Sequence, residues 1–213
     1  MTRVKVCGIT ELEDARLAAD LGAWAIGMIF YRASPRACTP DAAAEIAAAL
    51  RRRVEPVGVF VNAPLDEVAA IADACGLAAL QLHGDEGPAY CAEAARRTGC
   101  RVIKAARVRD AAAVRALRAF HVDYHLVDAY RPDTPGGTGE TFPWELARLD
   151  HGGSPLILAG GITPDNVVEA IAAVHPFAVD SASGTEAAPG RKNEAKLRAL
   201  FAAVEHADAG VAA

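Results

Sequence analysis

Arg3-Val4-Lys5-Val6-Cys7-Gly8-Ile9-Thr10 is the stretch whose reading decides the fold. Val4 and Val6 alternate with Arg3, Lys5 and Cys7. A strand therefore ends at the cysteine, with the valines on one face and the cations and thiol on the other. Gly8 permits a turn, and Thr10 can cap a following helix, with Glu13 at capping-box spacing. The cysteine has two readings. A thiol near a cation becomes a better thiolate, whereas most free cysteines at strand ends are small buried hydrophobes.

The rest of the chain repeats this strand–turn–helix unit. After a helix near Thr10–Gly22 come a strand at Trp24–Phe30 and an Ala-rich helix from Pro40 to Arg53. Strands at Pro56–Val61, Ala78–Leu82 and Arg101–Ala106 precede helices near Pro64–Cys75, Pro88–Thr98 and Asp110–Phe120. A sixth strand, Asp123–Asp128, leads into a loop from Ala129 to Pro143 and a short helix at Trp144–Leu149. Strands at Leu156–Ala159 and Phe177–Ser181 flank a helix from Thr163 to Val174, and a final helix starts near Gly190. There Leu197, Leu200, Phe201 and Val204 follow the spacing of a docked helix. Eight such units predict a single-domain (β/α)8 barrel over residues 1–207, with a flexible tail at 208–213. An open doubly wound sheet is the alternative, but its glycine fingerprint is missing from the first turn.

The 213 residues suffice for one large core, and 52% hydrophobic with 23% charged residues is a globular composition. A net charge of −5 argues against a nucleic-acid partner. Five cysteines without a C-x-x-C pair fit neither a disulfide framework nor a zinc site. Without a signal peptide or an 18-residue apolar run, a cytoplasmic location and no membrane partner are expected.

In such a barrel the strand ends share one functional face. In order they supply Cys7, Phe30 with Ser34-Pro35-Arg36, Phe60-Val61-Asn62, Gln81-Leu82-His83-Gly84, Asp128, Gly160-Gly161 and Ser181-Ala182-Ser183-Gly184. Glycines after strands seven and eight would let backbone N–H groups approach a phosphate; the alternative is two tight turns. Gly136-Gly137-Thr138-Gly139 follows no strand directly and reads as a lid. Asp128 ends an apolar strand, where desolvation suits a carboxyl group to proton donation; it could instead cap the next segment. Arg36 suits bidentate binding of a carboxylate, or is a solvated arginine. His83 reads as a satisfied loop histidine, because no metal-ligand spacing surrounds it. Lys5 points inward beneath Cys7, level with Asp180 on the neighbouring strand eight. An ion pair between them is expected, and either the ammonium favours the Cys7 thiolate or the pair is purely structural.

These motifs, with Val57-Gly58-Val59-Phe60-Val61-Asn62, Leu158-Ala159-Gly160-Gly161-Ile162-Thr163-Pro164-Asp165-Asn166-Val167 and Pro189-Gly190, resemble the phosphoribosylanthranilate isomerase family of tryptophan biosynthesis over nearly the whole chain. The resemblance implies an Amadori rearrangement with Asp128 as general acid and Cys7 as general base. It places Arg36, Gln81, His83, Gly160, Gly161, Ser183 and Gly184 around a phosphorylated small-molecule substrate, with no metal or organic cofactor. A monomer is expected. Three places depart from the family pattern: Ala182 in the strand-eight loop, Asn193 after Lys192, and Pro143 before Trp144. Competing readings are a dual-substrate or other sugar-phosphate isomerase barrel and a catalytically silent phosphate-binding barrel. The histidine-pathway isomerase would be expected to carry an aspartate where Cys7 stands.

Overall fold

The structure, a computed structural model, describes residues 1–108, 110–128 and 144–211. Eight parallel strands close into a barrel: β1 (Arg3–Cys7), β2 (Ala25–Ile29), β3 (Glu55–Phe60), β4 (Ala79–Leu82), β5 (Arg101–Arg107), β6 (Tyr124–Asp128), β7 (Leu156–Ala159) and β8 (Ala178–Ser181). Closure comes from β8 pairing with β1, with Lys5 opposite Asp180, and this excludes the open sheet. Around the barrel lie α1 (Leu12–Asp20), α2 (Pro40–Ala49), α3 (Leu65–Cys75), α4 (Pro88–Thr98), α5 (Ala111–Ala116), α6 (Val167–Val174) and α7 (Glu194–Val211). A 3-10 turn at Trp144–Arg148 stands between β6 and β7, and a hairpin of β9 (Glu186–Ala188) and β10 (Arg191–Lys192) follows β8.

Strand alternation sorts the core into two layers. Val4, Val6, Leu80, Val102 and Val179 pack outward with the helices. Ala25, Val57, Ala79, Ile103, Leu126, Ile157 and Ala178 fill the barrel. The many interior alanines leave volume for the buried side chains of Lys5 and Gln81. At the N-terminal end Trp24, Tyr124 and Phe177 form a plug, with ring centroids 5.1–5.3 Å apart. The opposite, C-terminal end carries the polar strand ends.

Two local expectations differ from what is seen. Thr10 does not cap α1; its hydroxyl donates to the Gly190 carbonyl at 2.6 Å and ties the first loop to the hairpin. The last helix runs to Val211, past the expected start of the tail. Its Asp208 carboxylate accepts from the Thr2 N–H at 2.6 Å and hydroxyl at 2.9 Å, which holds that turn against the chain start. Leu197, Leu200, Phe201 and Val204 are buried, as the spacing requires.

His125 on β6 points outward into the helix layer and is fully buried. One ring nitrogen meets the Phe120 carbonyl at 3.1 Å and the other meets Nδ1 of His151 at 3.2 Å. Burial pushes both histidines below their ordinary value, and His151 further opposes charge on His125, while Asp150 pulls His151 back up. Lys104, opposite His125 on β5, is a further cation on this side. The unfolded chain therefore binds these protons first, and stability should fall as pH drops below about 6.5. Urea midpoints should be lower at pH 5.5 than at pH 7.5, and His151→Gln should shrink the difference. An unchanged difference in that variant would assign the effect elsewhere.

Candidate active site

The barrel mouth is built from the ends of β1, β4, β6, β7 and β8. On β1, Lys5 is fully buried, and its ammonium lies 2.9 Å from Oδ2 of Asp180. Burial opposes the Lys5 charge, but Asp180 and Cys7 more than offset it and the pKa rises. The other Asp180 oxygen, Oδ1, is buried without a hydrogen-bond partner.

Cys7 sits above this pair and is buried. Burial pushes its thiol above the ordinary cysteine value and Asp180 adds to the rise, while Lys5 and Lys192 pull it down by less. Both ammonium groups favour the thiolate, yet burial outweighs them and Cys7 stays above the ordinary cysteine value. A glycine shapes this place from the next strand. A Cβ on Gly27 would lie 2.7 Å from Cys7 Sγ and 3.1 Å from Lys5 Nζ. Gly27→Ala should cost about 1–3 kcal/mol of stability by overpacking and, by displacing the sulfur, lower kcat at least tenfold. Urea unfolding and steady-state kinetics check this, and wild-type kcat in a folded variant would contradict it.

Arg36 lies in the loop after β2, beside Gly8. Gly8 has φ +77°, and a Cβ there would meet Arg36 Cδ at 2.9 Å, so both conformation and space require glycine. The guanidinium is only partly exposed and is not a free surface fork. Its Nε lies 2.8 and 3.0 Å from the two oxygens of Glu186, and its Nη2 lies 2.7 Å from Oε2. One edge of the fork is thus held by the hairpin, and the Nη1–Nη2 edge remains for a second carboxylate. Lys192, also on the hairpin, donates to the carbonyls of Cys7 at 2.6 Å and Ala182 at 3.0 Å and approaches Glu186 at 3.5 Å.

Across the mouth Asp128 ends β6, half-buried, with His83 Nε2 3.1 Å from Oδ2. The Gln81 amide meets His83 Nδ1 at 2.9 Å. Gln81 is buried inside the barrel, and its N–H donates to Nδ1, so the imidazole carries its proton on Nε2 and donates to Asp128. His83 is therefore a satisfied histidine, as the sequence suggested, but what satisfies it is the carboxylate. The loop it stands on is pinned from below. Glu86 accepts from the Asn62 and Gly84 N–H groups at 2.7 and 2.9 Å and pairs with buried Lys104 at 3.0 Å.

The loops after β7 and β8 touch. Gly160 and Gly161 have φ +85° and +73°, and the space where a Gly161 side chain would stand is open. Ser181 Oγ donates to the Ile162 carbonyl at 2.8 Å, and a Cβ on Gly184 would lie 2.0 Å from that oxygen. Ser183 and Gly184 join Thr163 and Lys196 in lining a cavity of about 560 Å³. The glycine stretch 136–139, read as a lid, and the Pro143 departure lie outside the described residues.

The sequence singled out Cys7, Arg36, Gln81, His83, Asp128 and both glycine loops, and all stand around this end of the barrel. Gln81 and His83 form a chain to Asp128. Glu186, Lys192 and Gly27 had been given no role. Their signal was the Pro189-Gly190 turn, which returns the chain to the mouth, and a lone glycine inside a strand, which marks close approach by another group. Among the described residues no three His, Cys, Asp or Glu side chains are placed to hold a metal ion, and no helix is long and apolar enough to cross a membrane.

A closed barrel with a thiol, a carboxylate–imidazole pair and two glycine loops on its C-terminal rim belongs to the (β/α)8-barrel enzymes. A model of the N-(5'-phosphoribosyl)anthranilate isomerase family matches residues 4–203, and the chain belongs to that family. The isomerase of Citrifermentans bemidjiense is 51% identical over 202 residues, 95% of this chain and 96% of that one. The crystal structure of phosphoribosyl anthranilate isomerase from Thermotoga maritima superposes with a TM-score of 0.88 at 40% identity, covering 97% of this chain and 100% of that one. A further isomerase structure, in complex with reduced 1-(o-carboxyphenylamino)-1-deoxyribulose 5-phosphate, is 38% identical with a TM-score of 0.84 and covers 97% and 100% of the two chains.

Proposed function

We propose that this chain catalyses the Amadori rearrangement of N-(5-phosphoribosyl)anthranilate to 1-(2-carboxyphenylamino)-1-deoxyribulose 5-phosphate in tryptophan biosynthesis. The observation that carries the reading is the placement of Cys7 and Asp128 on separate strand ends of one mouth, Cys7 among charged groups and Asp128 against His83. Asp128 protonates the ribose ring oxygen and the ring opens to a Schiff base. Cys7, as thiolate, removes the C2 proton, and the enolamine settles to the ketone. His83 and Gln81 hold Asp128 beside the substrate, the free edge of Arg36 takes the anthranilate carboxylate, and Gly160, Gly161, Ser183 and Gly184 take the phosphate.

The enzyme is read as monomeric and cytoplasmic. Met1, Tyr31 and Val168 are the exposed large apolar side chains among the described residues, too few for a broad docking patch. Its five cysteines are free, as a reducing compartment allows. The test is the fluorescence of the anthranilate substrate, which purified protein should abolish by turnover. Turnover of only the histidine-pathway substrate, or binding without turnover, would overturn the proposal. Inorganic phosphate should compete with substrate, raising KM with kcat unchanged, and insensitivity to it would remove the glycine loops from the site.

A further inference from the structure

The charges around Cys7 do not sum to zero. Groups from four elements face it: Lys5 on β1, Asp180 on β8, Arg36 after β2, and Glu186 and Lys192 on the hairpin. Lys5 and Asp180 pair at 2.9 Å as opposite charges. Glu186 is the one carboxylate facing both Arg36, to which it makes a forked bond, and Lys192, at 3.5 Å. Two cations therefore share one anion, and a positive charge remains. The side chain of Lys192 is fully buried, and its nearest contacts are the carbonyls of Cys7 and Ala182, dipoles that orient an ammonium without neutralising it.

We propose that Lys192 is the positioning residue through which Cys7 acts: its ammonium fixes the end of β1 against the end of β8 and supplies the uncompensated charge that favours the Cys7 thiolate. This rests on Cys7 being the base of the proposed reaction. A buried thiol needs such a counter-charge: Lys5 favours the thiolate most, its partner Asp180 opposes it, and Lys192 adds to what remains. Lys192 is itself disfavoured as a cation by burial, with Glu186 and Cys7 pulling the other way. Thiolate and ammonium therefore support each other, and loss of either charge weakens the other.

The test reads Cys7 directly. The pH dependence of its alkylation by iodoacetamide, followed by mass spectrometry of the Cys7 peptide, needs no substrate. The acid limb of kcat/KM is measured beside it. Lys192→Gln keeps a donor for the carbonyls but removes the charge, and should move both midpoints up by about one pH unit. Glu186→Gln removes the offsetting carboxylate and should move the alkylation midpoint down. The double change Lys5→Met with Asp180→Asn removes a neutral pair and should move it less than Lys192→Gln does. A purely structural Lys192 predicts lower stability with an unmoved midpoint, and that result overturns the proposal. Should Lys192→Gln fail to fold, a Glu186→Gln midpoint that stays or rises overturns it equally. If Cys7 were not the base, Cys7→Ala would remain active, a failure separate from the alkylation result.

Discussion

Asp128→Asn is expected to lower kcat about a hundredfold to ten-thousandfold, with KM changed only a few-fold. The substitution keeps the shape of the group, and the asparagine carbonyl can still accept the His83 Nε2–H that now reaches Asp128 at 3.1 Å. What is lost is the proton for the ring oxygen, an interaction made on the way to the transition state rather than in the bound ground state. Turnover within a few-fold of wild type would take Asp128 out of the mechanism, whatever the variant did to binding.

A loss of the same order is expected for Cys7→Ser. The hydroxyl is smaller than the thiol and fits beneath Gly27, where 2.7 Å separates the position of a Cβ from the sulfur, so packing survives. A serine hydroxyl does not ionise near neutral pH, and the net positive charge left by Arg36, Lys192 and Glu186 is too small to make it do so. Steady-state kinetics against a thermal melt check the variant, since an unaltered melting temperature with kcat near wild type would show that the thiol does no chemistry. Serine should also abolish the acid limb that the thiol contributes to kcat/KM.

The fold was legible because its signals are local and repeated. The strands are short apolar runs, most with β-branched residues and most ending at a polar residue or glycine, and the eightfold recurrence leaves few topologies. Lys5 and Asp180 could be paired on paper because barrel closure fixes the register of β1 against β8. The same reasoning could not place Glu186 and Lys192. They come after the last strand, on a hairpin whose path back to β1 is set by Thr10 bonding to Gly190 and by Lys192 reaching Cys7, contacts separated by about 180 residues of sequence. For the same reason Arg36 looked like a free fork, when one edge of it is bound. His83 was read as satisfied, and it is, but its partner could not be named: only the neighbouring positions of β5 and β6 bring Asp128 within reach. The sequence left the effect of Lys5 on Cys7 open: it showed a cation next to a thiol but not the degree of burial, and burial is the larger effect on Cys7.

The division of labour between Asp128 and Cys7 is tested most directly by single-turnover rates with substrate carrying hydrogen or deuterium at the sugar C2. In Cys7→Ser, removal of that proton becomes the slow step, and deuterium should slow the reaction several-fold. In Asp128→Asn, ring opening becomes slow and precedes any event at C2, so the two substrates should react at nearly the same rate. The reverse pattern, a large isotope effect in Asp128→Asn and none in Cys7→Ser, would contradict the assignment of acid and base.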